Sequence, residues 1–170
     1  MAEEFITLMA DLDPKSQKLM AGWYEELRKA GFEGVQTPGL PFHVSLATFP
    51  LEKEQEAIEV TKAAAAQFAA VPVSVSHMGL FPGGRVLFGA PDVSPRLSAL
   101  QQACERYPGQ FPWTPHVSIL IDEPDTVCEA LKVLIRSFRP FSGRITRLHL
   151  CAFWPTREIL TLDLHEETKP

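Results

Sequence analysis

One tetrapeptide occurs twice in this chain, as His-Val-Ser-Leu at residues 43–46 and as His-Val-Ser-Ile at residues 116–119. Side chains alternate between the two faces of a β-strand, so the His and the Ser of each copy share one face. If the two strands lie side by side, two imidazoles and two hydroxyls converge on one small anion. Two histidines that titrate near neutral pH are suited to acid–base chemistry at a phosphate ester.

The repeat makes His43 and His116 the candidate catalytic residues. One histidine, neutral, takes the proton from a water or ribose hydroxyl, and the other, protonated, gives a proton to the leaving oxygen. The sequence does not distinguish the acid from the base. Ser45 and Ser118 are candidate phosphate-binding residues, because their hydroxyls can donate hydrogen bonds to the non-bridging oxygens.

Such a reaction needs no metal and no cofactor, and we predict neither. A metal site built from the two motif histidines is the other chemical interpretation. It is disfavoured because no metal-ligand spacing such as H-E-x-x-H accompanies them and because serine is an uncommon ligand.

The flanking sequence predicts an α+β fold of two pseudo-symmetric lobes. Each motif copy lies in an apolar, β-branched context and is followed by a helical stretch. The simplest account is that residues 1–170 form a single bilobal domain. Each lobe would be an antiparallel sheet with helices on its outer face, and the active site would lie in the cleft between the lobes.

The remaining elements follow from periodicity and capping signals. Asp13-Pro14 and Ser94-Pro95 each combine an N-cap residue with proline at the first helical position, so each opens a helix. Pro82-Gly83-Gly84 predicts a hairpin turn. Two further helices are predicted over 51–69 and 124–138, and strands are predicted over 5–10, 42–48, 71–81, 85–89, 116–121, 142–152 and 158–165.

The paired motifs resemble those of the 2H phosphoesterase superfamily, whose pattern is His-x-(Ser/Thr)-aliphatic, twice. That superfamily includes 2′,3′-cyclic phosphodiesterases and bacterial proteins named 2′-5′ RNA ligases. The hairpin of residues 78–88 also looks like the family's hairpin between the motifs. The resemblance implies metal-independent opening of a 2′,3′-cyclic phosphate, or of a related ribose cyclic phosphate or short RNA phosphodiester, to give a 2′-phosphate.

One position departs from the RNA-ligase-named members, which carry an Arg five residues after the second motif His. Here that position is Ile121, which argues against a close relationship to that subgroup. A second function class stays open, namely a nucleotide- or RNA-end-binding module with the same pocket and little or no turnover. Within the enzyme class, cyclic nucleotides, ADP-ribose cyclic phosphate, tRNA fragments and 2′-5′-oligoadenylates are not distinguished.

Recognition of a base by such a site uses aromatic stacking. Phe42 and Trp113 are the candidate base-stacking residues, because each lies shortly before a motif histidine. The alternative for Trp113 is a hydrophobic plug beneath the loop that leads into the second motif strand. Further aromatic candidates near the motifs are Phe81, Phe111 and Trp154.

The other three histidines lack a matching serine and are not assigned to catalysis. His77 is in register with Val73 and Val75, which predicts that it lines a wall or the core. His149 and His165 fall in the last two predicted strands, and we predict that each is a surface or edge residue.

Composition limits the partners. The net charge of −5 argues against a broad basic groove for long nucleic acids, so the expected substrate is a nucleotide or short RNA end. No apolar run approaches a membrane span, and the N-terminus lacks a signal-peptide pattern, so no membrane partner is predicted. Three cysteines without framework spacing indicate reduced thiols and a cytoplasmic protein. We predict a monomer.

Overall fold

The computed structural model describes residues 3–33, 39–109 and 111–166. Predicted and observed elements agree in type and order, and their ends differ by a few residues. The helix predicted over 51–69 begins as a 3₁₀ helix, Leu51–Lys53. The elements in chain order are β1 (Phe5–Leu12), α1 (Pro14–Lys29), β2 (His43–Phe49), α2 (Glu54–Gln67), β3 (Val71–Leu80), β4 (Val86–Pro91), α3 (Pro95–Cys104), β5 (Val117–Ile121), α4 (Pro124–Ser137), β6 (Phe141–Phe153) and β7 (Arg157–Asp163).

The strands form one antiparallel sheet in the order β2-β1-β6-β3-β4-β5, with β7 paired to β6. Strand β6 joins the two halves, because residues 141–145 pair with β3 and residues 145–153 pair with β1. The motif strands β2 and β5 stand at opposite ends of this order and nevertheless contact each other. The sheet therefore curves and brings its two end strands close together. Its antiparallel pairing and its helices confirm the predicted antiparallel α+β fold.

Each motif strand carries a β-bulge directly after its serine. The pairing of β2 with β1 skips Leu46, and the pairing of β5 with β4 skips Ile119. Both of these aliphatic side chains are buried. Because a bulge bends a strand and changes the direction of its side chains, the fourth residue of each tetrapeptide ends the His-x-Ser face at the same point.

The helices begin where the sequence predicts. Asp13 Oδ1 accepts a hydrogen bond from Ser16 N at 2.8 Å, and Ser94 Oγ accepts one from Leu97 N at 3.1 Å. Helix α1 packs with α4, and α2 packs with α3. In the part of the chain that the structure describes, no helix has the length and apolarity needed to cross a membrane.

The three cysteines are free. Cys104 and Cys151 are buried, and Cys128 is exposed. Burial raises the pKa of the Cys104 thiol to about 12, so this side chain is a protonated, apolar part of the core at neutral pH.

Candidate active site in the cleft

The two motif copies face one cleft, which consists of two cavities that meet at Ser45. A cavity of about 210 Å³ is lined by His43, Ser45 and Ser118. A second cavity, of about 740 Å³, is lined by Ser45 and His116. The structure therefore brings together all four of the His and Ser side chains that the sequence singles out.

Both histidine rings are held in the same way by the backbone. His43 Nδ1 lies 2.7 Å from the carbonyl oxygen of Pro41, and His116 Nδ1 lies 2.9 Å from that of Thr114. Because a carbonyl oxygen can only accept, each Nδ1 must carry the hydrogen. In the neutral ring Nε2 is then the nitrogen that can take up a proton from a ligand.

Burial lowers the pKa of both motif histidines below the ordinary value of 6.5. The hydrogen bonds to the Pro41 and Thr114 carbonyls raise the two pKa values, but by less than burial lowers them. Both rings are therefore mostly neutral at pH 7 in the free protein. A bound phosphate anion would raise both pKa values, because a nearby negative charge favours the imidazolium form.

The surroundings of His43 are charged. Asp11 lies directly opposite His43 in the β1–β2 register, and its carboxylate raises the pKa of His43. On the other side of Asp11, the His149 Nδ1 is 3.5 Å from Asp11 Oδ2, and both side chains are under 10% exposed. The His149 Nε2 is 3.2 Å from the sulfur of Cys151. A buried pair of opposite charges thus lies next to the first motif strand.

His149 contradicts its prediction, because it is buried and not a surface or edge residue. The reason is that β6 is a central strand, with β1 on one side of His149 and β7 on the other. The Asp11 carboxylate, followed by the sulfur of Cys151, raises the pKa of His149 to about 10, so this ring is positively charged at neutral pH.

The surroundings of His116 are aromatic. Its ring centroid lies 4.7 Å from that of Phe81 and 5.7 Å from that of Phe88, with edge-to-face geometry in both cases. Gly79 pairs with Phe88 across β3 and β4, and a Cβ atom on Gly79 would come within 2.6 Å of the Phe88 ring. The glycine therefore leaves the space in which Phe88 packs against His116.

The segments before the two histidines are fixed by different side chains. Gln17 of α1 accepts a hydrogen bond from Phe42 N at 2.8 Å, and its Nε2 donates to Phe42 O at 2.7 Å. Trp113 Nε1 donates to the carbonyl oxygen of Ser45 at 2.9 Å and so ties the loop before β5 to β2. Sequence reasoning missed Gln17, because nothing in a helical glutamine indicates which distant backbone it will meet.

The two candidate stacking residues line different cavities. Phe42 lines the smaller one and packs edge-on against Tyr24, with ring centroids 6.4 Å apart. Trp113 lines the larger one, and both side chains are half-buried. Stacking of a base on either ring stays a prediction. Of the other aromatic candidates, Trp154 lines the smaller cavity, and Phe81 and Phe111 line the larger one.

His77 does not line a wall or the core, so that prediction is wrong. A β-bulge between Val75 and His77 breaks the alternation of β3, and the His77 side chain is exposed. His165 is exposed, as predicted.

The arrangement can hold one phosphate and move two protons. The two rings offer a proton acceptor and, when one is charged, a proton donor, and the two hydroxyls offer hydrogen bonds to phosphate oxygens. Among residues 3–33, 39–109 and 111–166, no group of three or more His, Cys, Asp or Glu side chains is placed to bind a metal ion.

Comparison with known proteins gives a consistent result. A family model described as the 2′-5′ RNA ligase superfamily matches residues 16–153. A search of curated proteins finds no match.

Among solved structures, E. coli LigT complexed with 3′-AMP has a TM-score of 0.64 at 16% identity, covering 96% of this chain and 99% of that one. E. coli LigT complexed with NADP+ has a TM-score of 0.60 at 18% identity, covering 97% and 100%. TT0787 of Thermus thermophilus has a TM-score of 0.61 at 15% identity, covering 96% and 100%. At these identities the structures show a shared fold.

Proposed function

The chain belongs to the 2′-5′ RNA ligase superfamily, whose members are phosphoesterases and RNA-processing enzymes, and we propose that it is a metal-independent phosphodiesterase that opens a 2′,3′-cyclic phosphate. The observation that supports this proposal is the pair of histidines held alike through Nδ1, with a serine beside each, at the meeting point of two cavities.

The proposed reaction uses the two histidines as a base and an acid. A water attacks phosphorus while the Nε2 of one neutral imidazole takes a proton from that water. The Nε2–H of the other, charged imidazole gives its proton to the leaving 3′-oxygen as the P–O3′ bond breaks. The product is a 2′-phosphate, and the two rings have exchanged protonation states. Such acid–base assistance contributes ~10²–10⁴-fold to the rate.

Ser45 and Ser118 have a different role in this proposal. Their hydroxyls donate hydrogen bonds to the non-bridging oxygens, on which negative charge accumulates in the transition state. Each serine supplies one neutral donor and carries no proton through the reaction. Replacement of either serine by alanine should therefore reduce turnover less than replacement of a histidine.

Phosphorus NMR of each 2′,3′-cyclic nucleotide, incubated with the protein in excess EDTA, tests the proposal. We expect conversion to the 2′-phosphate alone, and conversion by His43→Ala that is slower by ~10²–10⁴-fold. His77→Ala is the matched control, because His77 is exposed and lines neither cavity. Loss of activity in EDTA would contradict metal independence. Binding of all four nucleotides without conversion would favour the nucleotide- or RNA-end-binding module.

A further inference from the structure

Apart from the motif histidines, which can gain a proton, the described residues of the cleft walls include no side chain that can carry a positive charge. Neither of the two cavities is lined by a lysine or an arginine from this part of the chain. The smaller cavity is lined mainly by apolar side chains, among them Phe42, Ile121 and Trp154. The larger cavity is lined by Tyr107, Trp113 and the acidic residue Glu105, among others.

Two arginines near the cleft, Arg85 and Arg157, are engaged with carboxylates, and Arg106, between the cavity-lining Glu105 and Tyr107, donates to backbone carbonyl oxygens. Arg85 follows the hairpin turn and makes two hydrogen bonds to Glu123, at 2.9 and 2.7 Å. Arg157 begins β7, shortly after the cavity-lining Trp154, and contacts Glu3 at 2.7 Å and Glu54 at 2.6 Å. Neither arginine lines a cavity.

Two further arginines are paired on the surface. Arg144 lies 3.6 Å from Glu166, and Arg147 lies 3.0 Å from Asp163. Neither lines either of the two cleft cavities, and both are more than a third exposed. These four arginines are thus directed to the protein's own carboxylates.

Stabilisation of a bound anion in this cleft depends on the four motif side chains. One imidazolium and two hydroxyls match a single phosphodiester, which carries one negative charge. A second phosphate would lose water contacts without gaining a cation from the cavity walls, and the larger cavity has the acidic residue Glu105 in its wall. Burial of a charge without a partner is unfavourable, and like charges brought close together repel.

We infer that the substrate carries one phosphate only, as a diester monoanion whose uncharged parts occupy the two cavities. The inference rests on the proposed function and narrows its substrate class. Mononucleoside 2′,3′-cyclic phosphates meet the requirement. RNA ends and pyrophosphate-containing cyclic phosphates, such as that of ADP-ribose, do not.

Steady-state kinetics on a charge series tests the inference. The substrates are adenosine 2′,3′-cyclic phosphate and the same compound bearing a 5′-phosphate or a 5′-diphosphate, at constant ionic strength in EDTA. We expect kcat/KM to fall about tenfold or more with the first added phosphate, mainly because KM rises. Equal or higher kcat/KM for the 5′-phosphorylated substrates would overturn the inference that the substrate carries one phosphate only, and would leave the proposed function intact.

If none of the three compounds is converted, the proposed function fails and calorimetry still tests the inference. The three Kd values should then rise in the same order as the negative charge of the compounds, and equal Kd values would overturn the inference.

With active protein, kcat/KM for the singly charged substrate should change less than about twofold between about 50 and about 200 mM NaCl. A steep fall with salt would indicate cationic contacts that contradict the inference.

Ile121→Arg should relieve the penalty for a second phosphate, because it places a guanidinium on the wall of the smaller cavity. We expect the penalty for a 5′-phosphate to shrink about tenfold in this variant. Val93→Arg is the matched control, since Val93 is 66% exposed and lines neither cavity. An equal change of preference in both variants would show that net charge, and not the cavity wall, sets the preference. Ile121→Lys repeats the test if the arginine variant does not fold.

Discussion

The two motif strands repeat one backbone arrangement in two different surroundings. In both, the histidine Nδ1 donates to the carbonyl two residues earlier, and a bulge follows the serine. His43, however, lies opposite the carboxylate of Asp11, with the charged His149 behind it. His116 lies against the edges and faces of two phenyl rings.

This difference shows which parts of the site come from the repeat and which come from the neighbouring strands. The tetrapeptide determines how each ring and hydroxyl is presented. The strands beside it determine the electrostatic environment, since β1 supplies a carboxylate on one side and β4 supplies an aromatic ring on the other. The two histidines are therefore alike in geometry and unlike in the groups that influence their protonation.

The largest effect should come from removal of either motif histidine. His43→Ala and His116→Ala should each lower kcat/KM for a 2′,3′-cyclic nucleotide by ~10²–10⁴-fold, because each removes a proton carrier. The double variant should be little worse than either single one, since the two rings act as a unit. Circular dichroism and thermal melts check that the variants fold. Near-normal turnover in either single variant would end the two-histidine mechanism.

The second prediction concerns the buried Asp11–His149 pair, which lies on the His43 side of the cleft. His149→Gln removes the imidazolium and leaves the buried Asp11 carboxylate without a counter-charge, so at pH 7 we expect the free energy of unfolding to fall by about 3 kcal/mol. The pKa of His149 is raised in the folded protein, to about 10. Its stabilising contribution is therefore fully present below about pH 6.5 and is lost as pH rises through about 10.

Urea titrations at pH 7 and pH 10.5 measure this effect. The difference in unfolding free energy between wild type and His149→Gln should shrink at the higher pH. His77→Gln serves as the control, because His77 is exposed and should change stability little at either pH. A pH-independent difference for His149→Gln would mean that packing, and not charge, is what the substitution removes.

Features that depend on residues close together in the sequence were predicted. Features that depend on which strands become neighbours in the sheet were missed. Capping residues, periodicity and the hairpin turn gave every strand and helix in order, and the His-x-Ser alternation gave the four side chains that meet in the cleft. His149 was misjudged because its burial depends on which strands flank β6. His77 was misjudged because a bulge has no reliable signal in the alternation of apolar residues.

The third prediction acts on the His116 side alone. Gly79→Ala should push the Phe88 ring, which packs against His116, and lower kcat about tenfold while the protein still folds. Gly22→Ala is the matched control, because a Cβ there meets nothing within 4 Å. In the interior of α1 that control should stabilise the protein by about 0.5–1 kcal/mol and leave kcat unchanged.

The kcat of Gly79→Ala, compared with that of Gly22→Ala, shows whether Phe88 positions His116. If Gly79→Ala retains full kcat, Phe88 does not position His116, and the aromatic surroundings have only a packing role. Replacement of Phe88 by leucine in the Gly79→Ala background gives the added methyl group room. Partial recovery of kcat in that double variant would support positioning through the ring.

The smallest effect is expected in the pH profile of kcat/KM. Burial lowers the pKa of both histidines below 6.5, and the reaction needs one ring charged and one neutral. As pH falls, activity should rise when the first ring gains a proton and decline when the second does, so the optimum should lie below pH 6.5. The profile of kcat should lie at higher pH, because bound phosphate raises both pKa values.

Proton NMR measures the pKa of each motif histidine separately, on the carboxylate side of the cleft and on the aromatic side. His43→Gln leaves His116 as the observed motif ring, and His116→Gln leaves His43, so each titration can be assigned. In wild type the pKa of His43 is lowered mainly by burial and, as the last of its causes, by the charge of His116. In His116→Gln the pKa of His43 should therefore rise slightly, whereas the pKa of His116, which is lowered by burial, should change little in His43→Gln. A pKa of His43 that does not move in His116→Gln would show that the charge of His116 does not reach His43 across the cleft.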